Sequence, residues 1–183
     1  DRVGLLRERE RRLDADTVAA LERLVAARRT GMPIAYLTGR REFWSLDFAV
    51  DARVLVPRPE TELLVEWVCA IAPENGTVCD WGTGSGAIAL AVSAEREDLT
   101  VPWLDISADA LAVARGNDHA GHVTWLVSDG FTTAANQRFD VVVANPPYLS
   151  DADLASAPPE LGFEPAGALV SGPSGLEAFV RLA

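Results

Sequence analysis

Lysine is absent from this chain: all 16 basic side chains are arginine, a feature of coding composition rather than of function. No apolar run approaches the roughly 20 residues that span a bilayer. The charged start Asp1-Arg2 does not lead into a signal-peptide core, so a cytoplasmic protein with no membrane partner is expected. Cysteine is scarce, and Cys69 and Cys79, ten apart in a predicted helix and strand, read as small buried hydrophobes. Without further ligands beside them a zinc site has no basis, and no metal is expected. Internal repeats and low-complexity linkers are missing as well. About half the residues are hydrophobic, which excludes disorder, and 183 residues suit one main domain plus an appendage.

Positive charge is lacking from most of the chain. Residues 1–41 hold 10 Arg against 6 acids, whereas residues 42–183 hold 6 Arg against 21 acids. A body so acidic argues against a duplex clamp, because neutralising phosphates needs a basic stripe across the binding face. A protein substrate stays compatible with it.

What is present has a clear order. Residues 1–13, rich in Arg and Glu, read as a helical piece. In residues 17–29, Val18, Leu21, Leu24 and Val25 recur at helical spacing, with Asp16 as the expected cap and an end near Gly31. Residues 34–56 carry aromatic and β-branched side chains between turn-like breaks and read as a β-hairpin linking two domains. Pro57-Arg58-Pro59 then starts a helix over 60–72. Beyond Asn75-Gly76 come strand 77–81, helix 86–96, strand 100–104, helix 108–117, strand 123–127 and strand 139–144. That alternation predicts a doubly wound, Rossmann-like α/β sheet. The expected organisation is an N-terminal helical segment at 1–32, a hairpin linker at 33–56 and the main domain at 57–183.

The first strand of this set ends in Asp80-Trp81-Gly82-Thr83-Gly84-Ser85-Gly86. Spacing of the type Gly82-x-Gly84-x-Gly86 allows a tight turn and close backbone approach to a ligand. It is not the dinucleotide spacing, since position 87 is Ala. Asp105 closes the next strand about 20 residues on, where a carboxylate can accept both ribose hydroxyls; its alternative role is a helix cap, for which Ser107 is equally placed. Together these suit an adenosyl ligand without a pyrophosphate, S-adenosylmethionine, held by Asp80, Gly82, Thr83, Gly84, Ser85, Gly86 and Asp105. Asp129, before Gly130, stands where an acid can hold the adenine amino group, or simply makes a turn.

Asn145-Pro146-Pro147-Tyr148 follows the apolar run 141–144. The Asn145 oxygen and the Pro146 carbonyl offer two acceptors for a planar NH₂ group, with the Tyr148 ring nearby to stack on it. A turn that stops a buried strand is the alternative.

With these motifs in order, the chain resembles the HemK/PrmC family, the N5-glutamine methyltransferases of peptide-chain release factors. Further segments carry the likeness: Pro33-Ile34-Ala35-Tyr36-Leu37-Thr38-Gly39 with Arg41-Glu42-Phe43-Trp44, Pro57-Arg58-Pro59-Glu60-Thr61-Glu62, and Phe163-Glu164-Pro165 with Ala168-Leu169 and Gly175-Leu176. The resemblance implies a SAM-dependent enzyme acting on the glutamine of the Gly-Gly-Gln loop in a class I release factor. It implies Asn145, Pro146 and Tyr148 as catalytic residues, and Asn145, Pro146, Pro147 and Tyr148 as the acceptor site. Asp129, Gly130 and Asn145 join the cofactor set, with Arg58, Glu60 and Thr61 as a lid. Direct nucleic-acid binding is not implied. An adenine amino methyltransferase sharing Asn-Pro-Pro-Tyr and an inactive scaffold of the same fold are the alternatives.

The chain departs from the family pattern at Trp81, Trp103 and Gly130, and in the short, polar stretch 116–122. Relatives also carry a longer helical bundle at the start and three more strands at the end. The expectation is a sheet truncated at its C-terminal side and a chain that is a fragment, in keeping with a start at Asp1.

Overall fold

The computed structural model of the chain describes residues 2–121 and 123–183. Asp1, in the first expected helical piece, and His122, in the 116–122 stretch, lie outside them.

Two helices open the chain, α1 (Arg2–Arg7) and α2 (Ala15–Arg29). The cap of α2 is Asp14, not Asp16: its carboxylate accepts from the Thr17 amide at 2.8 Å and the Thr17 hydroxyl at 3.0 Å, which places Asp16 inside the first turn. The apolar stripe of α2 is not buried, and Leu21 is 51% exposed.

Residues 34–56 are only partly a hairpin. Ile34–Thr38 forms a short helix, α3, which Pro33 starts and Gly39 ends. The strands β1 (Arg40–Phe43) and β2 (Leu46–Ala49) then pair antiparallel around Trp44 and Ser45. Both loop residues have positive φ, 53° and 59°, as a two-residue hairpin turn requires. Three carboxylate contacts hold them there: Glu62 accepts from the Trp44 amide, Glu42 from the Ser45 amide and Glu95 from the Trp44 indole. Ser45 is exposed, and its hydroxyl makes no hydrogen bond among the described residues. We expect Ser45→Gly to raise stability by about 1 kcal/mol by removing the left-handed penalty, read as a higher urea midpoint at unchanged slope.

After a 3₁₀ turn at Pro59–Thr61 the chain enters α4 (Glu62–Ile71). Then follow β3 (Val78–Trp81), α5 (Ala87–Glu95), β4 (Trp103–Asp105), α6 (Ala108–Asn117), β5 (Trp125–Val127) and β6 (Val141–Ala144). Strand β4 begins later than expected because Pro102 has no N–H to give the ladder, although Thr100 and Pro102 still accept from β3. The four strands are parallel in the order β5-β4-β3-β6. The chain winds outward from β3 to β5, then returns to place β6 on the other side of β3, the reversal at which doubly wound sheets bind ligands. A short helix, α7 (Asp151–Ala155), carries a Ser150/Asp153 capping box, and α8 (Glu177–Leu182) ends the chain.

Register separates the two unusual tryptophans. Trp103 pairs with Asp80 and Trp81 with Leu104, so the two rings leave opposite faces of the sheet. Trp103 is fully buried against Trp125, and Trp81 packs against the separate cluster of Cys79, Leu104 and Ala134. Neither ring compensates for the other.

One buried side chain ties the hairpin to the sheet domain. Asn117, the last residue of α6, accepts from the Ala49 amide at 2.8 Å and donates to the Ala49 and Ser85 carbonyls at 3.1 and 3.0 Å.

Candidate active site

All four parallel strands deliver their carboxyl ends to one cavity of about 700 Å³. From β3 come Trp81, Gly82, Thr83, Gly84 and Ser85; from β4, Asp105 and Ile106; from β5, Ser128, Asp129 and Gly130; from β6, Asn145, Pro146 and Pro147. Most of the residues singled out in the sequence are thereby brought together, although they span 66 positions in the chain.

The glycine loop has two distinct reasons for its glycines. Gly82 and Gly84 have φ of 75° and 57°, and a methyl group on either would enter open space. They form a cradle that a ligand can approach and side chains would fill. Gly86 is different, because a Cβ there would lie 2.7 Å from the Trp103 ring and 3.3 Å from the Ala114 methyl. Its smallness serves packing under the loop, and it does not line the cavity, contrary to the expectation of ligand contact.

Asp105 supports the cradle directly. One carboxylate oxygen accepts from the Gly84 amide and the other from the Ser107 amide, both at 2.8 Å. Each oxygen keeps a further lone pair. Burial pushes the carboxyl above the ordinary carboxylate range, and the amides of Ser107, Gly84 and Ile106 counter that rise. Capping of α6 falls to Ser107, whose hydroxyl accepts from Ala110, so the competing cap role for Asp105 is taken elsewhere.

Asp80 lies beneath the cavity and does not line it, because it is fully enclosed. One of its oxygens accepts from the Thr83 hydroxyl at 2.6 Å, and the other has no hydrogen-bond partner among the described residues. Desolvation, joined by the nearby Asp105 charge, pushes its pKa up to about 7 against the Thr83 bond. Its service to a ligand therefore runs through Thr83. Below about pH 4 folded and unfolded chains both hold this proton; as the pH rises toward 7 only the folded chain keeps it, and the stability it contributes is lost through pH 7. We expect Asp80→Asn to flatten the fall in thermal midpoint between pH 4 and pH 8, checked by calorimetry across that range.

Asp129 reaches the cavity, but its carboxylate pairs with Arg181 of α8 at 3.0 Å, both side chains largely exposed. Arg181 and Glu177, whose Oε2 has no hydrogen-bond partner, also line the wall, and neither was signalled by any motif. The expected lid divides. Thr61 lines the cavity, whereas Glu60 is exposed and Arg58 turns away to an ion pair with the buried Glu164, which also accepts from the Val56 amide at 3.0 Å. This pair braces the segments that carry Pro57 and Pro165 on the cavity rim.

At the end of β6, Asn145 donates through Nδ2 to the Thr61 hydroxyl at 3.2 Å, leaving its oxygen unengaged. Tyr148 is not in the cavity wall: it is 63% exposed. The chain is already turned away at this point, because Leu149 exchanges backbone bonds with Leu169 and Ser171. Stacking on an acceptor amide is thus not preformed.

The donor set fits S-adenosylmethionine. A Cβ-free cradle, a hydrogen-bonded carboxylate at the end of the neighbouring strand and a single cavity reaching Asn145 are what such a cofactor needs.

This fold and site define a methyltransferase of the Rossmann-like class. Residues 59–159 match the family model "Methyltransferase small domain" and residues 1–39 match "PrmC N-terminal domain". The chain belongs to the release factor glutamine methyltransferase family. The protein of that name from Xylella fastidiosa (strain 9a5c) is 42% identical over 183 residues, which cover 97% of this chain and 66% of that protein. Its namesake from Escherichia coli (strain K12) is 40% identical over 99% of this chain and 67% of its own length. The chain therefore spans about two thirds of the length of the curated relatives it matches. Among solved structures, the hMettl16 catalytic domain in complex with MAT2A 3′UTR hairpin 6 aligns with a TM-score of 0.59 at 14% identity, over 76% of this chain and 55% of that one, a likeness of fold.

Proposed function

We propose that this chain transfers a methyl group from S-adenosylmethionine to the side-chain amide nitrogen of the glutamine in the Gly-Gly-Gln loop of a class I release factor. One observation carries the reading: a single cavity joins the Gly82–Gly84 cradle and Asp105 to Asn145 and Pro146. The names of the relatives supply the acceptor residue and the partner.

Gly82, Thr83, Gly84, Ser85 and Asp105 would hold the cofactor, with Asp129 and Gly130 at its adenine end and Asp80 acting through Thr83. When bound, it supplies a methyl group activated by a sulfonium. The residues at 145–146 address the weak nucleophile. An amide nitrogen has its lone pair delocalised into the carbonyl, and two acceptors, Asn145 Oδ1 and the Pro146 carbonyl, favour a more amine-like nitrogen and fix its direction. Bonding of the acceptor nitrogen to that methyl carbon would be matched by loss of its C–S bond, the electron pair leaving with the cofactor's sulfur. The nitrogen then gives its extra proton to water, so no strong base is needed before attack. Pro147 shapes the same wall, and Tyr148 waits at the exposed rim.

The domain division proposed is 1–32, 33–56 and 57–183, with the acidic last part holding the chemistry. Translation termination takes place in the cytoplasm, so the proposed partner implies that location, with nucleic acid and membrane playing no direct part.

Incubation with labelled S-adenosylmethionine and a release factor tests the reading. Label should enter the factor and be absent when the glutamine of its Gly-Gly-Gln loop is alanine. Transfer that persists in the alanine variant would sink the glutamine assignment.

A further inference from the structure

A side-chain amide has one accepting and one donating end, and only the accepting end of Asn145 can receive an N–H from the target. We infer that Thr61 is the positioning residue that anchors this side chain by its donating end. This rests on the function proposed above for Asn145.

Three observations carry it. Asn145 Nδ2 is 3.2 Å from the Thr61 hydroxyl, and this is the bond that the Asn145 side chain makes within the chain. With the nitrogen so engaged, Oδ1 is the free end. Thr61 also stands at the N-cap of α4, where a threonine hydroxyl ordinarily bonds a backbone amide of the first turn. Here it makes no capping bond, so its oxygen is available to Asn145. Finally, the residue is rigidly placed. It closes the 3₁₀ turn Pro59–Thr61, its amide bonds the Arg58 carbonyl at 3.0 Å, and Glu164 holds Arg58 and the Val56 amide just upstream. A hydroxyl fixed by backbone and brace, and facing the same cavity as Asn145, anchors the amide through Nδ2 and leaves Oδ1 unbonded among the described residues.

The same arrangement distinguishes positioning from helix capping. Were Thr61 a structural cap, serine would restore stability and valine would cost it, with no mark on Asn145. As a positioning residue it acts on Asn145 and on turnover.

The test compares Thr61→Val and Thr61→Ser with the unchanged chain. In ¹⁵N-labelled protein the Asn145 side-chain NH₂ signal, assigned by its loss in Asn145→Ala, should have one downfield, slowly exchanging proton. That signature should survive in Thr61→Ser and vanish in Thr61→Val. On a release factor, Thr61→Val should lower kcat about ten-fold, the worth of one aligned hydrogen bond. S-adenosylmethionine affinity should stay within about two-fold, and Thr61→Ser should recover most of the rate. An Asn145 signal unchanged by valine, or serine and valine behaving alike in turnover, overturns the inference. If the unchanged chain methylates no release factor, the function proposed above falls instead, and the Asn145 signal still decides whether Thr61 orients it.

Discussion

Asn145→Ala is expected to slow methyl transfer to a release factor by about 10²–10³-fold while leaving S-adenosylmethionine affinity within a few-fold. The magnitude is that of removing one preorganised group from the centre of charge reorganisation. The asymmetry comes from geometry. The Asn145 amide nitrogen is held by Thr61, and the oxygen left free is the group assigned above to the acceptor rather than to the cofactor. Asp105→Ala should behave in the opposite sense. It removes the carboxylate that carries the Gly84 and Ser107 amides, so cofactor binding weakens by about ten-fold or more at the strength of charge-assisted hydrogen bonds. Isothermal titration with S-adenosylmethionine and initial rates on a release factor separate the two. Equal losses of cofactor affinity in both variants would contradict this division of labour.

Asn117→Leu is expected to destabilise the chain by about 3 kcal/mol although it removes no charge and creates little void. Leucine fills a similar volume but abandons the Ala49 amide, the Ala49 carbonyl and the Ser85 carbonyl. A buried backbone group left without a partner costs roughly 1–3 kcal/mol, and partial access of water at Ala49 keeps the sum near the lower end. Urea denaturation gives the loss directly. A leucine variant as stable as the unchanged chain would show that water replaces all three bonds.

The site motifs were readable because a parallel α/β order fixes where they go. Once β3, β4, β5 and β6 are assigned, whatever follows each strand must meet at one edge of the sheet, so Gly82, Asp105, Asp129 and Asn145 converge without any knowledge of contacts. The parts that escaped depend on partners remote in sequence. Asn117 looks like an ordinary helix end, and its value lies in Ala49, 68 residues away. Glu164 is buried because Arg58 comes to it across 106 residues. The hairpin turn at Trp44 and Ser45 carries neither Gly nor Asn, and it is held by three carboxylates rather than by local propensity. Residues 34–38 were read as strand because Ile, Tyr and Leu serve either structure, and the Pro33 start and Gly39 stop decided for a helix. Tyr148 was placed in the site by its neighbours, yet the pairing of Leu149 with Leu169 and Ser171 leaves its ring at the rim.

The separation of the two tryptophans across the sheet also equips this chain optically. Trp81 forms part of the cavity wall, whereas Trp103 is sealed below the glycine loop. A ligand that displaces water from the Trp81 indole moves its emission to shorter wavelength, while the other four tryptophans, Trp44, Trp67, Trp103 and Trp125, lie outside the cavity wall and emit as a constant background. Cofactor occupancy can then be followed in the unlabelled protein by its own fluorescence, and Trp81→Phe removes the signal without touching the carboxylate or the glycines that hold the ligand.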